Sequence, residues 1–281
     1  MTKVDQFESV FRAAAKEQYQ LGEVKVESVL VLHDLEQNAE EFVERSKRFL
    51  DVLGDHPQWQ VATPKDFVDL AALLGRFDED APDLVVTYRN LGSEAWKWPY
   101  SLGEHLDVLT QLTPSPVLVM PHPLAGRAYD HALSNTDSVL AVTDHLSGDA
   151  RLVDWAHHFT TPQGTLWLAH IEDEHTFERY VEVISRIPSI DTDVARETIL
   201  ERLLKEPREY AESVQAALAD APHKVEIHVS LGHSLGVYRE LIRSHEVDLL
   251  ILETKDDDQL AMHGLAHPLA IEIREIPLLM I

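Results

Sequence analysis

The sequence of this chain predicts an α/β protein that consists of two doubly wound parallel-sheet domains in tandem. Near-continuous apolar runs such as Val29–Leu32 and Val139–Val142 are typical of strands that are buried on both faces. Amphipathic stretches of helical spacing separate these runs, as the crossovers of a parallel sheet require. The same order of runs and helices occurs twice, so each half is expected to form its own sheet.

The first repeated pattern is an apolar strand that ends in a polar pair with Asp in second place. The strand of the first half leads to His33 and Asp34, and that of the second half leads to Thr143 and Asp144. A helical stretch follows in both halves: Ala39–Leu53 and Ala150–Phe159.

The second repeated pattern closes each half with a strand, a helix and a final strand. In the first half these are Leu84–Val86, Glu104–Leu112 and Val117–Met120, and in the second half Val247–Leu252, Pro268–Glu275 and Pro277–Ile281. Because neighbouring parallel strands need a crossover, this order predicts a β–α–β unit at the end of each half.

These patterns predict domains at residues 1–125 and 135–281, with the linker Pro121–Gly126 at the boundary. The first domain is the shorter one. Its third strand is predicted at Trp59–Ala62, directly after the first helix. An extra amphipathic helix is predicted at Asp5–Gln20, ahead of the first strand.

The second domain has the fuller set of elements. Val225–Val229 alternates apolar and polar residues, which predicts an edge strand with one wetter face. Three helices precede this strand, at Thr176–Ile187, Val194–Lys205 and Arg208–Leu218. Pro207 is expected to separate the last two, because proline disrupts a helix interior.

Composition and charge limit the classes of function. Acidic residues number 49 against 24 basic ones, which gives a net charge of -25 and argues against nucleic-acid and membrane partners. The absence of cysteine excludes disulfides and thiolate catalysis. Since the start of the chain does not look like a signal peptide and no apolar run reaches the ~20 residues of a membrane helix, a cytoplasmic location is predicted.

In these features the chain resembles the universal stress proteins in their two-domain form. The resemblance rests on Asp34 and Asp144 after the first strands, His170 in a second strand, and the segments Val229–Gly232 and Val247–Leu252. It implies Rossmann-like domains of the adenine-nucleotide alpha-hydrolase-like type.

In that family the final strands of two domains pair across a two-fold axis. The resemblance therefore implies that Val117–Met120 pairs with Leu278–Ile281 within one chain, as an internal pseudo-dimer. Such pairing would remove two apolar sheet edges that invite association. Whether the tandem also forms a homodimer stays open.

The ATP-binding version of the family carries the loop G-x2-G-x9-G-[S/T] after the fourth strand, where glycines let backbone N–H groups approach phosphates. The aligned positions hold Tyr88, Leu91, Gly103 and Glu104 in the first half, and Glu253, Asp256, Ala266 and His267 in the second. The carboxylates of Asp256–Asp258 would also repel a triphosphate. We therefore expect that neither half binds ATP in the family manner, and no cofactor is predicted.

Polar residues at the carboxyl ends of the strands form the candidate ligand-binding set, since open α/β sheets bind ligands there. The set comprises His33, Asp34, Tyr88 and Arg89 in the first half, and Thr143, Asp144, His170 and Glu253 in the second. A small polar or anionic ligand held by His33 and Arg89 is one interpretation. A remnant of an ancestral site, filled by its own side chains, is the other and is preferred.

Histidines supply weak candidates for a metal site: His170, His175, His263 and His267. His263 and His267 are spaced i, i+4, but Pro268 disfavours helix at His267, so the pair is expected in a loop or at a helix start. A metal site needs three or four converging ligands.

Two further motifs remain without an assigned role. Gly232–Gly236 matches the nucleophile pattern G-x-S-x-G, yet Ser234 is interpreted as a helix N-cap, and no catalytic residue is predicted. Trp96, Trp98 and Tyr100 either form a partner surface or plug the vacated crevice.

The function predicted from this reasoning is that of a non-enzymatic stress-response or regulatory protein that acts through an unidentified protein partner. The alternative is a sensor that binds a small ligand or a metal in the crevice at the strand ends.

Overall fold

The computed structural model describes residues 18–63, 65–66, 69–79, 81–98, 101–142, 150–254 and 264–281. The predicted helix Asp5–Gln20 lies almost wholly outside these residues, and so do Thr143, Asp144 and His263.

The described residues form nine strands and eight α-helices. The strands are β1 Ser28–Leu32, β2 Gln58–Ala62, β3 Leu84–Tyr88, β4 Val117–Met120, β5 Ser138–Val142, β6 Thr165–Asp173, β7 Lys224–Gly232, β8 Leu249–Leu252 and β9 Leu278–Met280. The helices are α1 Ala39–Phe49, α2 Leu70–Glu79, α3 Glu104–Leu112, α4 Ala150–Phe159, α5 Glu174–Ser185, α6 Thr192–Ala217, α7 Ser234–Ser244 and α8 Ala266–Glu272. Within this part of the chain, none of the helices combines the length and the apolar character needed to span a bilayer.

All nine strands belong to one sheet with the order β2-β1-β3-β4-β9-β8-β5-β6-β7. Every neighbouring pair is parallel except β4 and β9. The strand order reverses at β1 and β3 in the first half and at β5 and β8 in the second, as in doubly wound sheets. The predicted α/β fold class is confirmed.

The central strands are buried along their whole length, as is typical of the inner strands of a parallel sheet. β3 and β8 are buried at every position. β7 lies at one edge of the sheet, where Val225 is buried and Glu226 is exposed, so the alternating pattern of this strand correctly predicts its place.

The two halves also repeat a side-chain contact at the start of their first strands. An Oδ2 atom of Asp83 accepts a hydrogen bond of 2.9 Å from the backbone N–H of Ser28. The Oδ2 atom of Asp248 accepts one of the same length from the N–H of Ser138. Asp83 immediately precedes β3 and Asp248 immediately precedes β8, and each of these strands pairs with the first strand of its half, so the same local contact links neighbouring strands in both halves.

The halves join where β4 and β9 pair in antiparallel fashion. Val117 lies opposite Met280, Leu118 opposite Leu279, and Val119 opposite Leu278. These side chains are essentially inaccessible to solvent. Both strands therefore lie in the interior of the continuous sheet, with a neighbouring strand on each side, so neither forms an exposed sheet edge.

A second connection ties the start of the chain to the second half. The Tyr19 hydroxyl donates a hydrogen bond of 2.6 Å to Asp154 on α4, and the Tyr19 backbone N–H donates to the Ser213 hydroxyl on α6 at 3.2 Å. The N–H of Gly22 donates to the same Asp154 carboxylate at 2.9 Å. The chain thus contacts the second half before it enters β1 of the first.

The prediction that Trp59–Ala62 forms the third strand is wrong in its position. The segment Gln58–Ala62 is β2, and it pairs in parallel with β1, which is the place that β6 takes beside β5 in the second half. The helix α2 that follows it was not predicted. Within the described residues of the first half, no strand corresponds to the edge strand β7.

The prediction that Pro207 separates two helices is also wrong. The helix α6 continues through Pro207, and its next turns bury Tyr210, Ala211 and Val214 in the core. This packing outweighs the cost of roughly 3 kcal/mol for proline inside a helix. By contrast, α8 begins at Ala266, so His267 lies at a helix start, where the first turn tolerates Pro268.

Candidate functional site

The first-half crevice is centred on Asp34, directly after β1. The Tyr88 hydroxyl, at the end of β3, donates a short hydrogen bond to Oδ1 of Asp34. The backbone N–H of Gly92 donates to Oδ2 at 2.7 Å, and the N–H of Asp34 itself donates to the Tyr88 oxygen at 3.0 Å. Both carboxylate oxygens are therefore engaged by the protein's own groups.

The ionisable groups around Asp34 are held in their neutral forms. Burial, followed by the hydrogen bond to Asp34, raises the pKa of Tyr88 far above its ordinary value, so the hydroxyl remains a donor. Burial lowers the pKa of His33, and its Nδ1 atom lies 3.3 Å from the backbone N–H of Leu35, from which it accepts a hydrogen bond. At neutral pH this group therefore offers no positive charge to an anionic ligand.

Aromatic rings fill the space above Asp34. The Phe42 ring meets the Tyr88 ring edge-on at 5.3 Å between centroids, and Tyr88 meets His122 edge-on at 4.7 Å. Trp96 stacks on His122 at 4.4 Å with an interplanar angle of 15°. Burial lowers the pKa of His122 to about 4, so it acts here as a neutral ring.

This stacking bears on the open choice for the three aromatic residues after β3. Trp96 packs inward on His122, whereas Trp98 is 61% exposed. Tyr100 lies outside the described residues. Trp96 thus matches the interpretation of a plug, and Trp98 is available to solvent.

The loop between β3 and α3 folds back on itself. The backbone N–H of Asn90 donates to the Leu102 carbonyl at 2.7 Å, and the Asn90 side-chain amide donates to the Ser101 carbonyl at 3.3 Å. A Cβ atom on Gly103, the N-cap of α3, would lie 2.6 Å from the Asn90 Cα. The start of α3, where the family's loop would hold phosphate, is thus packed against Asn90.

The structure does not bring Arg89 together with His33. The Arg89 Nε donates to the Ala270 carbonyl at 2.8 Å and its Nη2 to the Ile273 carbonyl at 2.6 Å, at the end of α8 in the other half. Burial lowers the pKa of Arg89 to about 9, so it stays charged at neutral pH. A ligand held jointly by these two side chains does not fit this arrangement.

The second-half crevice is described only in part, because Thr143 and Asp144 lie outside the described residues. His170 is buried in β6, with its Nε2 atom 3.6 Å from the Glu172 carboxylate. Glu253 follows β8 and is half-buried. Next to it, the Thr254 hydroxyl and backbone N–H both donate to the Ile281 carbonyl at 2.9 Å.

The metal candidates do not assemble in the part of the chain that the structure describes. His170 lies in β6, His175 is exposed in α5, and His267 is in α8, while His263 is not described. No group of three or more His, Asp or Glu side chains able to hold a metal ion occurs among the described residues.

Ser234 is the first residue of α7, and His233 takes the N-cap position that was predicted for Ser234. The imidazole Nε2 of His233 lies 3.7 Å from the Glu174 carboxylate at the start of α5.

Two residues of the first-half crevice escaped the sequence analysis. Gly92 was not singled out, although its φ of 77° shows that the turn requires glycine. His122 was assigned only to the linker, because nothing in the sequence indicates that this loop folds over β3. Their place in the crevice is evident only in the tertiary structure, where the loop after β3 contacts the segment after β4.

Comparisons with known proteins bear on the fold. No protein-family model and no curated protein sequence matches the chain. A universal stress protein from Archaeoglobus fulgidus superposes with a TM-score of 0.55 at 11% identity, over 91% of this chain and 98% of its own. A candidate universal stress protein from Pseudomonas aeruginosa UCBPP-PA14 gives 0.52 at 14% identity, over 91% and 93%.

A third solved structure, that of a functionally unknown protein from Pseudomonas aeruginosa PAO1, gives a TM-score of 0.51 at 13% identity, over 91% of this chain and 92% of its own. All three alignments extend across both halves of the chain. At these identities the likeness concerns the path of the backbone. This chain therefore has the fold of the universal stress proteins.

Proposed function

We propose that this chain is a stress-response or regulatory protein of the tandem universal stress type, that it does not bind ATP in the manner of that family, and that it acts through protein contacts. One observation supports the proposal above all others. The carboxylate of Asp34 is engaged on both oxygens by Tyr88 and Gly92. A ligand would have to break these hydrogen bonds within a buried aromatic cluster before it could use Asp34.

The electrostatics of the first half point the same way. A triphosphate needs backbone N–H groups or cations, and the start of α3 packs on Asn90 while Arg89 is bonded to the other half. In the second half the proposal rests on the sequence alone, in which Asp256–Asp258 fall within the aligned phosphate loop; these residues lie outside the described part of the chain.

The first test is calorimetric titration of the nucleotide-free protein with Mg-ATP. We expect no saturable heat up to about 1 mM ligand, a concentration that would half-fill even a site worth roughly 4 kcal/mol. A dissociation constant in the micromolar range would contradict the proposal. Photo-crosslinking with an azido-ATP analogue and peptide mapping would then identify the half responsible.

Native mass spectrometry of protein purified without added ligand distinguishes the alternative function, a ligand-binding sensor, from the proposed one. A retained small molecule or metal would favour the sensor. The bare chain mass supports a protein that works through its surface.

An apolar surface on the α5–α6 hairpin supports action through protein contacts. We call it the hairpin patch, and it consists of Tyr180, Val183, Ile187, Ile190 and Val194, each 41–63% exposed. Tyr180 and Val183 have the i, i+3 spacing of one face of α5, and Ile187 and Ile190 follow in the turn before α6. Exposed apolar groups that lie together in this way mark interaction sites.

The partner that the hairpin patch fits is a second copy of this chain. Two ion pairs lie nearby within the chain, Arg186 with Glu182 at 2.6 Å and Arg196 with both oxygens of Glu178. These pairs reduce the net charge that each of two copies, with -25 overall, would bring to such a contact. A two-fold dimer would place the patch against itself.

Replacement of Val183 by glutamate is expected to weaken dimerisation by about 10-fold or more, because it places an unpaired charge in an apolar contact. Sedimentation velocity over a concentration series measures the change. Leu112→Glu is the matched control, since Leu112 is 58% exposed at the end of α3. A monomeric wild type, or equal weakening by both variants, would overturn the assignment of this surface.

A further inference from the structure

Arg274 lies between α8 and β9 and is the starting point for a second site. Only 8% of its surface is exposed. Its Nη2 donates to the Trp98 carbonyl of the first half at 2.8 Å. Its Nη1 is buried and has no hydrogen-bond partner among the residues that the structure describes. A buried guanidinium with an unused terminal N–H pair is costly and calls for an acceptor.

Other positive charges surround Arg274. The guanidinium of Arg89 donates to the carbonyl of Ile273, the residue next to Arg274, at 2.6 Å. Arg127, in the segment between β4 and β5, is exposed, and its positive charge adds to burial in lowering the pKa of Arg274. The positive charge of Arg274 also repels that of Arg89 and lowers its pKa.

The acidic groups nearby do not balance these charges. The Glu275 carboxylate accepts from the backbone N–H of Arg274 at 2.9 Å and favours the charged guanidinium. The Glu272 carboxylate is bonded to Arg239 at 2.7 Å. Among the described groups whose charges act on Arg274, Arg89 and Arg127 are positive, and only the Glu275 carboxylate is negative without being bonded to another arginine. His122 adds no charge, since it is neutral at physiological pH.

We propose that the junction of the two halves binds a small anion, a phosphate or carboxylate group, with Arg274 as the buried ligand and Arg127 as the exposed one. The planar guanidinium presents parallel N–H groups that match both kinds of oxyanion. An anion there would accept from the unused Nη1 of Arg274 and separate its charge from that of Arg127.

This site is distinct from the crevice at Asp34. Its ligands come from the segment between β4 and β5 and from the turn between α8 and β9. The first half is reached through Arg274, which also donates to the Trp98 carbonyl, so a bound anion would stabilise this contact between the halves.

The test is calorimetric titration of the full chain with inorganic phosphate and, separately, with succinate, at constant ionic strength maintained with chloride. We expect saturable binding of at least one of the two, and the preferred one identifies the oxyanion class. Arg127→Gln is expected to weaken binding about 5-fold and Arg274→Gln about 10-fold or more, as for the loss of a charge-assisted hydrogen bond.

Arg186→Gln serves as the matched control, since it removes the same charge from an exposed ion pair on α5 and should change the affinity by less than about 2-fold. Should Arg274→Gln fold poorly, Arg127→Gln decides the question, because Arg127 is exposed. Equal affinity in Arg127→Gln and Arg186→Gln, or no saturable binding by the wild type, would overturn the proposal.

Discussion

Replacing Arg89 with methionine is expected to lower the free energy of unfolding by about 3 kcal/mol. The side chain donates two charge-assisted hydrogen bonds, to the carbonyls of Ala270 and Ile273, and is 3% exposed. Each such bond contributes roughly 1.5–3 kcal/mol, and the carbonyls at the end of α8 would lose their partners. Methionine fills a similar volume and needs no hydration, which offsets part of the loss.

Urea unfolding monitored by circular dichroism measures this effect. Arg89→Lys should lie between the wild type and the methionine variant, because lysine keeps the charge but not the planar fork. The control is Arg45→Met, which breaks an exposed i, i+4 ion pair with Glu41 and should cost about 0.5 kcal/mol. The bridging role is refuted if the free energy of unfolding of Arg89→Met lies within about 1 kcal/mol of the wild-type value, a difference that is roughly the error of the extrapolation.

Replacing Gly103 with alanine is expected to cost about 2 kcal/mol or more. Gly103 has a φ of 95°, which side chains rarely tolerate, and the added Cβ would lie 2.6 Å from the Cα and 2.9 Å from the N of Asn90. Both contacts are with backbone atoms that a rotamer change cannot relieve, so the loop between β3 and α3 has to shift.

Gly75 provides a control whose replacement by alanine is expected to change the free energy of unfolding in the opposite direction. Gly75 lies inside α2, and a Cβ there would meet nothing within 4 Å. Gly75→Ala should therefore raise the free energy of unfolding by about 0.5–1 kcal/mol through helix propensity. Thermal unfolding of both variants measures the difference. Equal stability of the Gly103 and Gly75 variants would show that the loop does not depend on this contact.

The role of Gly103 differs from the one that the resemblance implies. In an ATP-binding loop a glycine at this place lets the backbone approach phosphate. Here the same residue lets Asn90 approach the start of α3. The sequence alone cannot distinguish these two reasons, because both require the absence of a side chain.

Arg89 illustrates the same limit for a charged residue. Its position after β3 predicted a place beside His33, since the ends of neighbouring strands meet at one edge of the sheet. The antiparallel pairing of β4 and β9 brings α8 of the other half within reach, and its carbonyls attract the guanidinium. The long arginine side chain binds acceptors that are close in space, although the Ala270 carbonyl lies 181 residues away in the sequence.

Local patterns by themselves determined much of this protein. Apolar runs and helical spacing correctly predicted the α/β class, the edge position of β7, and the bounds Glu104–Leu112 of α3, because burial and periodicity act over a few residues. Only the tertiary structure decided the place of β2 in the sheet, the continuity of α6 through Pro207, and the engagement of Asp34 by Tyr88 and Gly92. These features depend on contacts between segments that are distant in sequence. The energies of such contacts outweigh local preference and cannot be inferred from neighbouring residues in the sequence.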